Sequence, residues 1–288
     1  MELSGAFPAL VTPLHAPGEL DLTALARLTE EAADLGASGV LIAGTTGEGT
    51  LLSPADRRAV TAAAVGTGVP VIAGACGATL EDVHADVARL AGTGAQAVLV
   101  LAPSYQPLSP VEVVDVHTAI ADRADVPTLV YHIPQFTGSV LTTEAVGALA
   151  EHRNIVAIKD SSPDADRRAA FISAGADRLR LLVGHAPTIG AALRAGAAGS
   201  ITAIANVRMR QVLALHGAVD VGDDTEVDRL QASITGAEEA LRAAPGSMSA
   251  AVKAAMQLEG RLDERYCVPP LRSVPGSQLD LVRTALLR

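Results

Sequence analysis

Eight short apolar runs, each followed by a polar break and an Ala-rich amphipathic segment, predict an α/β protein: a closed (β/α)8 TIM barrel with a C-terminal helical appendage. The runs lack polar alternation, as parallel strands buried on both faces do. They start about twenty to thirty residues apart, enough for a strand, a helix and two loops. The chain has 288 residues, and such barrels typically take about 250. A doubly wound open sheet is the alternative arrangement. Eight units strain that fold, and no GxGxxG opens the first one.

In order, the runs are "FPALVTP" from Phe7, "GVLIAG" from Gly39, "PVIAGA" from Pro70 and "AVLVLAP" from Ala97. They continue with "PTLVYHIP" from Pro127, "IVAIKDS" from Ile155, "LRLLVGH" from Leu179 and "GSITAIAN" from Gly199. Several helix starts are written between them. Asp21 opens one helix and Gly36 stops it. Ser53 is an N-cap with Pro54 in the first helical position. Thr79 with Asp82 approximates a capping box. After Ala205 the strand rhythm stops. "NVRMRQVLALHGAV", "DTEVDRLQASITGAEEALRA" and "SMSAAVKAAMQLEG" read as helices, "YCVPPLRSVPG" as a Pro-broken loop, and "SQLDLVRTALL" as a closing helix. Residues 1–220 are thus expected to form the barrel with the catalytic site and 221–288 a helical region, with no low-complexity linker between them.

Composition excludes several classes of function. Acidic residues outnumber basic ones 32 to 22, a formal charge of -10, which does not attract a nucleic-acid backbone. No apolar run is long enough to span a membrane, and "MELSGAFPALVTP" lacks the marks of a signal peptide. Cys76 and Cys267 stand alone, without the spacing of a disulfide framework or a zinc site. The expectation is a cytoplasmic protein without nucleic-acid or membrane partners.

In a barrel of this kind the chemistry sits at the C-terminal ends of the strands. Those ends offer Thr12, "GTTGEG" from Gly44, Cys76, Ser104 and Tyr105, Tyr131 and His132, Lys159 and Asp160, Gly184 and His185, then Ala203 and Asn206. Lys159 is one of only two lysines, beside Lys253. Burial disfavours an ammonium, and a free amine attacks a carbonyl to form a Schiff base. The alternative is a solvated lysine or one paired with Asp160. Tyr131 could relay protons to that amine or be an ordinary strand residue. The glycines and threonines of "GTTGEG" could cradle a carboxylate with backbone N–H groups or form a plain connecting turn. The lysine of a Walker A loop is missing. None of the seven histidines shows a metal-binding spacing. His132 and His185, at strand ends, are expected to line the pocket, whereas His84, His117 and His216 read as surface or boundary residues. No cofactor is expected.

"GTTGEG", "YHIP" and "AIKDSS", in this order on strands two, five and six, resemble the dihydrodipicolinate synthase and N-acetylneuraminate lyase family over nearly the whole chain. The resemblance implies a class I enzyme acting on pyruvate or another 2-oxo acid with an aldehyde. It makes Lys159 the imine-forming residue and Tyr131 the proton relay. Thr45 and Thr46 would hold the pyruvyl carboxylate, with Thr46 also joining the relay to Tyr131 and to Tyr105 of a neighbouring subunit. Gly184 and Ile201 would flank the keto acid, and the assembly would be a homotetramer, a dimer of dimers. The synthase branch carries an arginine where this chain has Phe136, and an acidic residue where it has His185. Both differences favour an aldehyde without a second carboxylate, because a phenyl ring cannot replace a guanidinium fork. The leading expectation is therefore a Schiff-base lyase or aldolase that cleaves or forms a 2-oxo acid from pyruvate and an aldehyde. Its alternatives are a 2-keto-3-deoxy sugar acid dehydratase, 4-hydroxy-tetrahydrodipicolinate synthase and a non-catalytic keto-acid-binding barrel.

Overall fold

Parallel strands form where the apolar runs stand: β1 (Gly5–Pro8), β2 (Val40–Ile42), β3 (Val71–Ala75), β4 (Ala97–Val100), β5 (Thr128–His132), β6 (Ile155–Asp160), β7 (Arg180–Val183) and β8 (Gly199–Thr202). This computed structural model describes residues 2–175 and 178–287. Each strand pairs with the next from β2 to β8, and β8 pairs with β1. The seam between β1 and β2 is closed by one bridge, Ala9 to Leu41. The sheet is an eight-stranded, nearly closed (β/α)8 barrel.

The pleat sorts the strand residues into two cores, since alternate side chains face opposite ways. Phe7, Leu41, Ile72, Leu99, Leu129, Tyr131, Ala157, Leu182 and Ile201 fill the barrel interior. Their neighbours Val40, Ile42, Val71, Val98, Val130, Ile158 and Val183 face the surrounding helices. Both faces are buried, which is why the strands show no polar alternation.

The helix starts behave as their sequences direct. Asp21 accepts the Ala24 N–H ahead of helix Leu22–Asp34, and Ser53 caps Pro54–Val65. Thr79 and Asp82 form a complete capping box on Leu80–Ala91, so the shorter aspartate still reaches back. Ser109 and Glu112 form a second box on Pro110–Arg123. A one-turn helix after β5 (Pro134–Thr137) has no side-chain cap, and a small hairpin (Leu14–Ala16, Glu19–Leu20) follows β1.

Beyond β8 come helices Ala205–Asp220, Asp224–Arg242, Met248–Leu258 and Leu279–Leu287. Helix Met248–Leu258 buries every residue from Ser249 to Met256, the mark of a helix covered on all sides. The appendage is therefore embedded against the barrel. Among the described residues no helix is long and apolar enough to cross a membrane.

Candidate active site

Parallel register sets Tyr131 directly beside Lys159, and His132 beside Asp160. The pleat then separates the two pairs. Tyr131 faces into the barrel, and the Lys159 amine lies over its ring, 4.3 Å from the centroid. Lys159 Nζ donates to the Tyr131 hydroxyl at 3.3 Å, and that hydroxyl shares a hydrogen bond of 3.0 Å with Thr45 Oγ1. Lys159 is only 4% exposed. Asp160, the adjacent carboxylate, is turned to the opposite face. There its Oδ2 accepts from Arg168 Nε at 2.9 Å and from the Ser162 hydroxyl at 3.0 Å. Its Oδ1 meets His132 Nδ1 at 2.7 Å. The lysine is thus neither solvated nor paired with Asp160.

Burial alone would raise the Asp160 carboxyl. The hydrogen bond and charge of His132, with the charge of Arg168, outweigh that and hold it below the ordinary carboxylate range. Arg168 also donates to the Thr188 hydroxyl at 3.0 Å and to the Ser162 carbonyl. This network braces the outer side of β6 at the point where Lys159 leaves the inner side.

His132 is the clearest correction to the expected site. Both of its ring nitrogens are occupied, by Asp160 and by the Leu141 N–H at 3.3 Å, and its ring meets Phe171 edge-on. It supports the outside of the barrel and offers no polar atom to a substrate. The pleat forbids adjacent residues from facing the same way. His117 and His84 correct the reading of helical histidines as surface or boundary groups, because both are buried on core-facing sides of their helices.

The turn after β2 is built for close backbone approach. Ala43 and Glu48 take positive φ values of 54° and 59°, a left-handed conformation that costs about 1–3 kcal/mol for a residue with a side chain. A Cβ at Gly49 would lie 1.8 Å from the Ala43 carbonyl oxygen, so only glycine fits. The carbonyls of the turn are tied outward. Gly47 O accepts from the Thr12 hydroxyl at 2.6 Å, Gly49 O from Arg57 Nη1 at 3.0 Å and Thr45 O from the Ser249 hydroxyl at 3.3 Å. Arg57 is itself held by Asp86 at 2.8 Å. Among the described residues the N–H groups of Thr45, Thr46 and Gly47 have no acceptor. Successive free N–H groups in such a turn form an anion-binding concavity. The hydroxyl that reaches Tyr131 belongs to Thr45, not to Thr46, which the resemblance had placed in the relay.

The other expected residues fall in three places. Ile201 lies wholly inside the barrel. A Cβ on Gly184 would meet Ser161 Oγ at 2.2 Å and Lys159 Cε at 3.1 Å, so the lysine stem passes beside a glycine that leaves it room. His185 is half-buried, its Nδ1 3.1 Å from the Thr188 hydroxyl. Burial, then the Arg168 charge, push its imidazole below the ordinary value. Tyr105 and Phe136 are 96% and 71% exposed, the first on the loop after β4 and the second on the one-turn helix after β5; the two segments are tied together by the Leu108 N–H and the Ser139 hydroxyl. Neither touches the lysine cluster within one chain.

Sequence reasoning placed Asn206 at a strand end but gave it no role; its amide bridges the Ala9 and Ala203 carbonyls and accepts the Val11 N–H. It passed over Glu48 and Lys253, which form a buried ion pair beneath the turn. Their signal was a lone charge in an apolar setting, "GTTGEG" for one and "AAVKAAM" for the other.

A buried lysine bonded to a tyrosine at the C-terminal end of a (β/α)8 barrel, with a turn of free N–H groups joined to that tyrosine through Thr45, is the arrangement of a Schiff-base enzyme. The profile of the Dihydrodipicolinate synthetase family matches residues 2–287, and the chain belongs to that family of class I, pyruvate-dependent lyases and aldolases. An uncharacterized DapA-like lyase of Halobacterium salinarum is 36% identical over 94% of this chain and 88% of its own length. A 4-hydroxy-tetrahydrodipicolinate synthase of Xanthomonas campestris is 35% identical over 72% of this chain and 69% of its own. The crystal structure of the chloride-inhibited dihydrodipicolinate synthase of Acinetobacter baumannii, complexed with pyruvate, superimposes with a TM-score of 0.92. That match has 26% identity and covers 99% of this chain and 98% of that one.

Proposed function

We propose that this protein joins pyruvate to an aldehyde through an imine on Lys159. Lys159 Nζ adds to the C2 carbonyl and water leaves, giving an iminium. A proton is lost from C3 to the Tyr131–Thr45 relay, giving an enamine. C3 then attacks the aldehyde carbon, and Tyr131 returns a proton to the new alkoxide. Hydrolysis, or attack by a group on the product, frees the lysine. The same steps run backwards cleave a hydroxylated 2-oxo acid. The Tyr131 hydroxyl carries this reading, since it bonds both Lys159 and Thr45 while, among the described residues, no carboxylate pairs with the amine. The N–H groups of Thr45, Thr46 and Gly47 would hold the pyruvyl carboxylate, with Gly184 and Ile201 beside the bound acid.

Relatives named 4-hydroxy-tetrahydrodipicolinate synthase support condensation with a semialdehyde over aldolase cleavage. One observation favours a second reading, a neutral aldehyde. By the family resemblance Phe136, exposed after β5, takes the place of the arginine that recognises a carboxylate-bearing partner, and a phenyl ring offers no such charge. Tyr105, exposed in a single chain, would complete the relay from the neighbouring subunit of a homotetramer, and two unpaired cysteines suit the cytoplasm. With pyruvate at saturation, consumption should be followed with aspartate semialdehyde and with glyceraldehyde as rival partners. Faster turnover of the semialdehyde supports the synthase. Turnover of glyceraldehyde alone supports the second reading, and none with any aldehyde sinks both.

A further inference from the structure

The second lysine of this lysine-poor chain is as buried as the first, and it also converges on the site. Lys253, on helix Met248–Leu258, is 0% exposed. Its Nζ lies 2.5 Å from Glu48 Oε1 and donates to the Tyr266 carbonyl at 2.7 Å. The other Glu48 oxygen, Oε2, accepts the Val268 N–H. Ser249, one turn before Lys253 on the same helix, holds the Thr45 carbonyl. Helix Met248–Leu258 and the loop after it therefore grip the β2 turn at two points: the side chain of its left-handed Glu48, and the carbonyl of the threonine that reaches Tyr131.

We propose that Lys253 and Glu48 are positioning residues for keto-acid binding. The pair locks Glu48 in its left-handed conformation and so keeps the Thr45, Thr46 and Gly47 N–H groups gathered on one concave surface. Ser249 assists by fixing the Thr45 peptide. A buried ion pair is weak grounds for a stability role, since apolar residues of like size often replace it without loss. Its use here is to hold a backbone shape that the turn does not favour by itself. This inference rests on the pyruvate reading above.

The test is reductive trapping of pyruvate on the full-length protein, read as the pyruvate concentration at half-maximal labelling and as the plateau at Lys159. Lys253→Met should raise the half-saturating concentration about tenfold or more with little change in the plateau. Lys253→Arg should recover part of the loss, and Ser249→Ala, which strands no buried charge, should raise it a few-fold. His216→Gln, far from the turn, controls for general loosening and should leave it unchanged. Circular dichroism establishes which variants are folded, and Ser249→Ala and Lys253→Arg decide if Lys253→Met does not fold. Unchanged half-saturation in the folded variants would overturn the inference alone. Wild-type protein that takes no label would overturn the pyruvate reading and this inference with it.

Discussion

Lys159 and Asp160 are neighbours in sequence and lie on opposite faces of one strand, and that separation makes the site. Had the carboxylate shared the lysine's face, it would have neutralised the amine; instead it binds Arg168 and His132 outside the barrel. Asp160→Asn should therefore act through the fold, leaving a buried guanidinium short of its partner at a loss of about 3–5 kcal/mol, measurable by urea denaturation. Thr45→Val should cut kcat on the order of 10²-fold by breaking the relay, while Thr46→Val should change mainly KM for pyruvate; steady-state kinetics separates the two. The sequence made Lys159, Tyr131 and the glycine-rich turn legible because each ends an apolar run. The resemblance alone put Thr46 beside Tyr131, whereas the hydroxyl that bonds it is that of Thr45; a turn has no period from which to read direction. His132 was readable, since counting by two from Tyr131 puts it outside.

Elements carried their own signals unevenly. Capping side chains marked helix starts well, because the groups that satisfy free N–H donors lie within three residues. Thr79→Ala should cost ~1 kcal/mol of stability with kcat and KM unchanged, checked by thermal melts beside kinetics. Helix Met248–Leu258 was visible as a helix, but its place was not. The partners of Lys253 and Ser249 lie about 200 residues earlier in the chain, and no local pattern encodes such a contact. The hairpin after β1 and the one-turn helix after β5 are too short for periodicity to register.

At the scale of the whole molecule, acid should loosen the fold. His117 and His216 are held neutral by burial, with pKa values pushed down to about 4. Between their ordinary value near 6.5 and 4 the unfolded chain binds more protons, so stability falls as pH drops through that window. Each histidine contributes on the order of 3 kcal/mol, and His117→Gln should flatten the pH dependence of the denaturation midpoint. The exposed Tyr105 and Phe136 predict an assembly larger than one chain, checked by light scattering, and Tyr105→Arg should shift it towards smaller species. The proposed chemistry depends on one amine. Pyruvate followed by borohydride, with peptide mapping, tests it most directly, because Lys159 and Lys253 are the only lysines and the second is locked to Glu48. One stable adduct per chain is expected, on Lys159, and it should be lost in Lys159→Arg. Folded protein that takes no adduct from pyruvate or from larger 2-oxo acids, or takes it elsewhere, would contradict it.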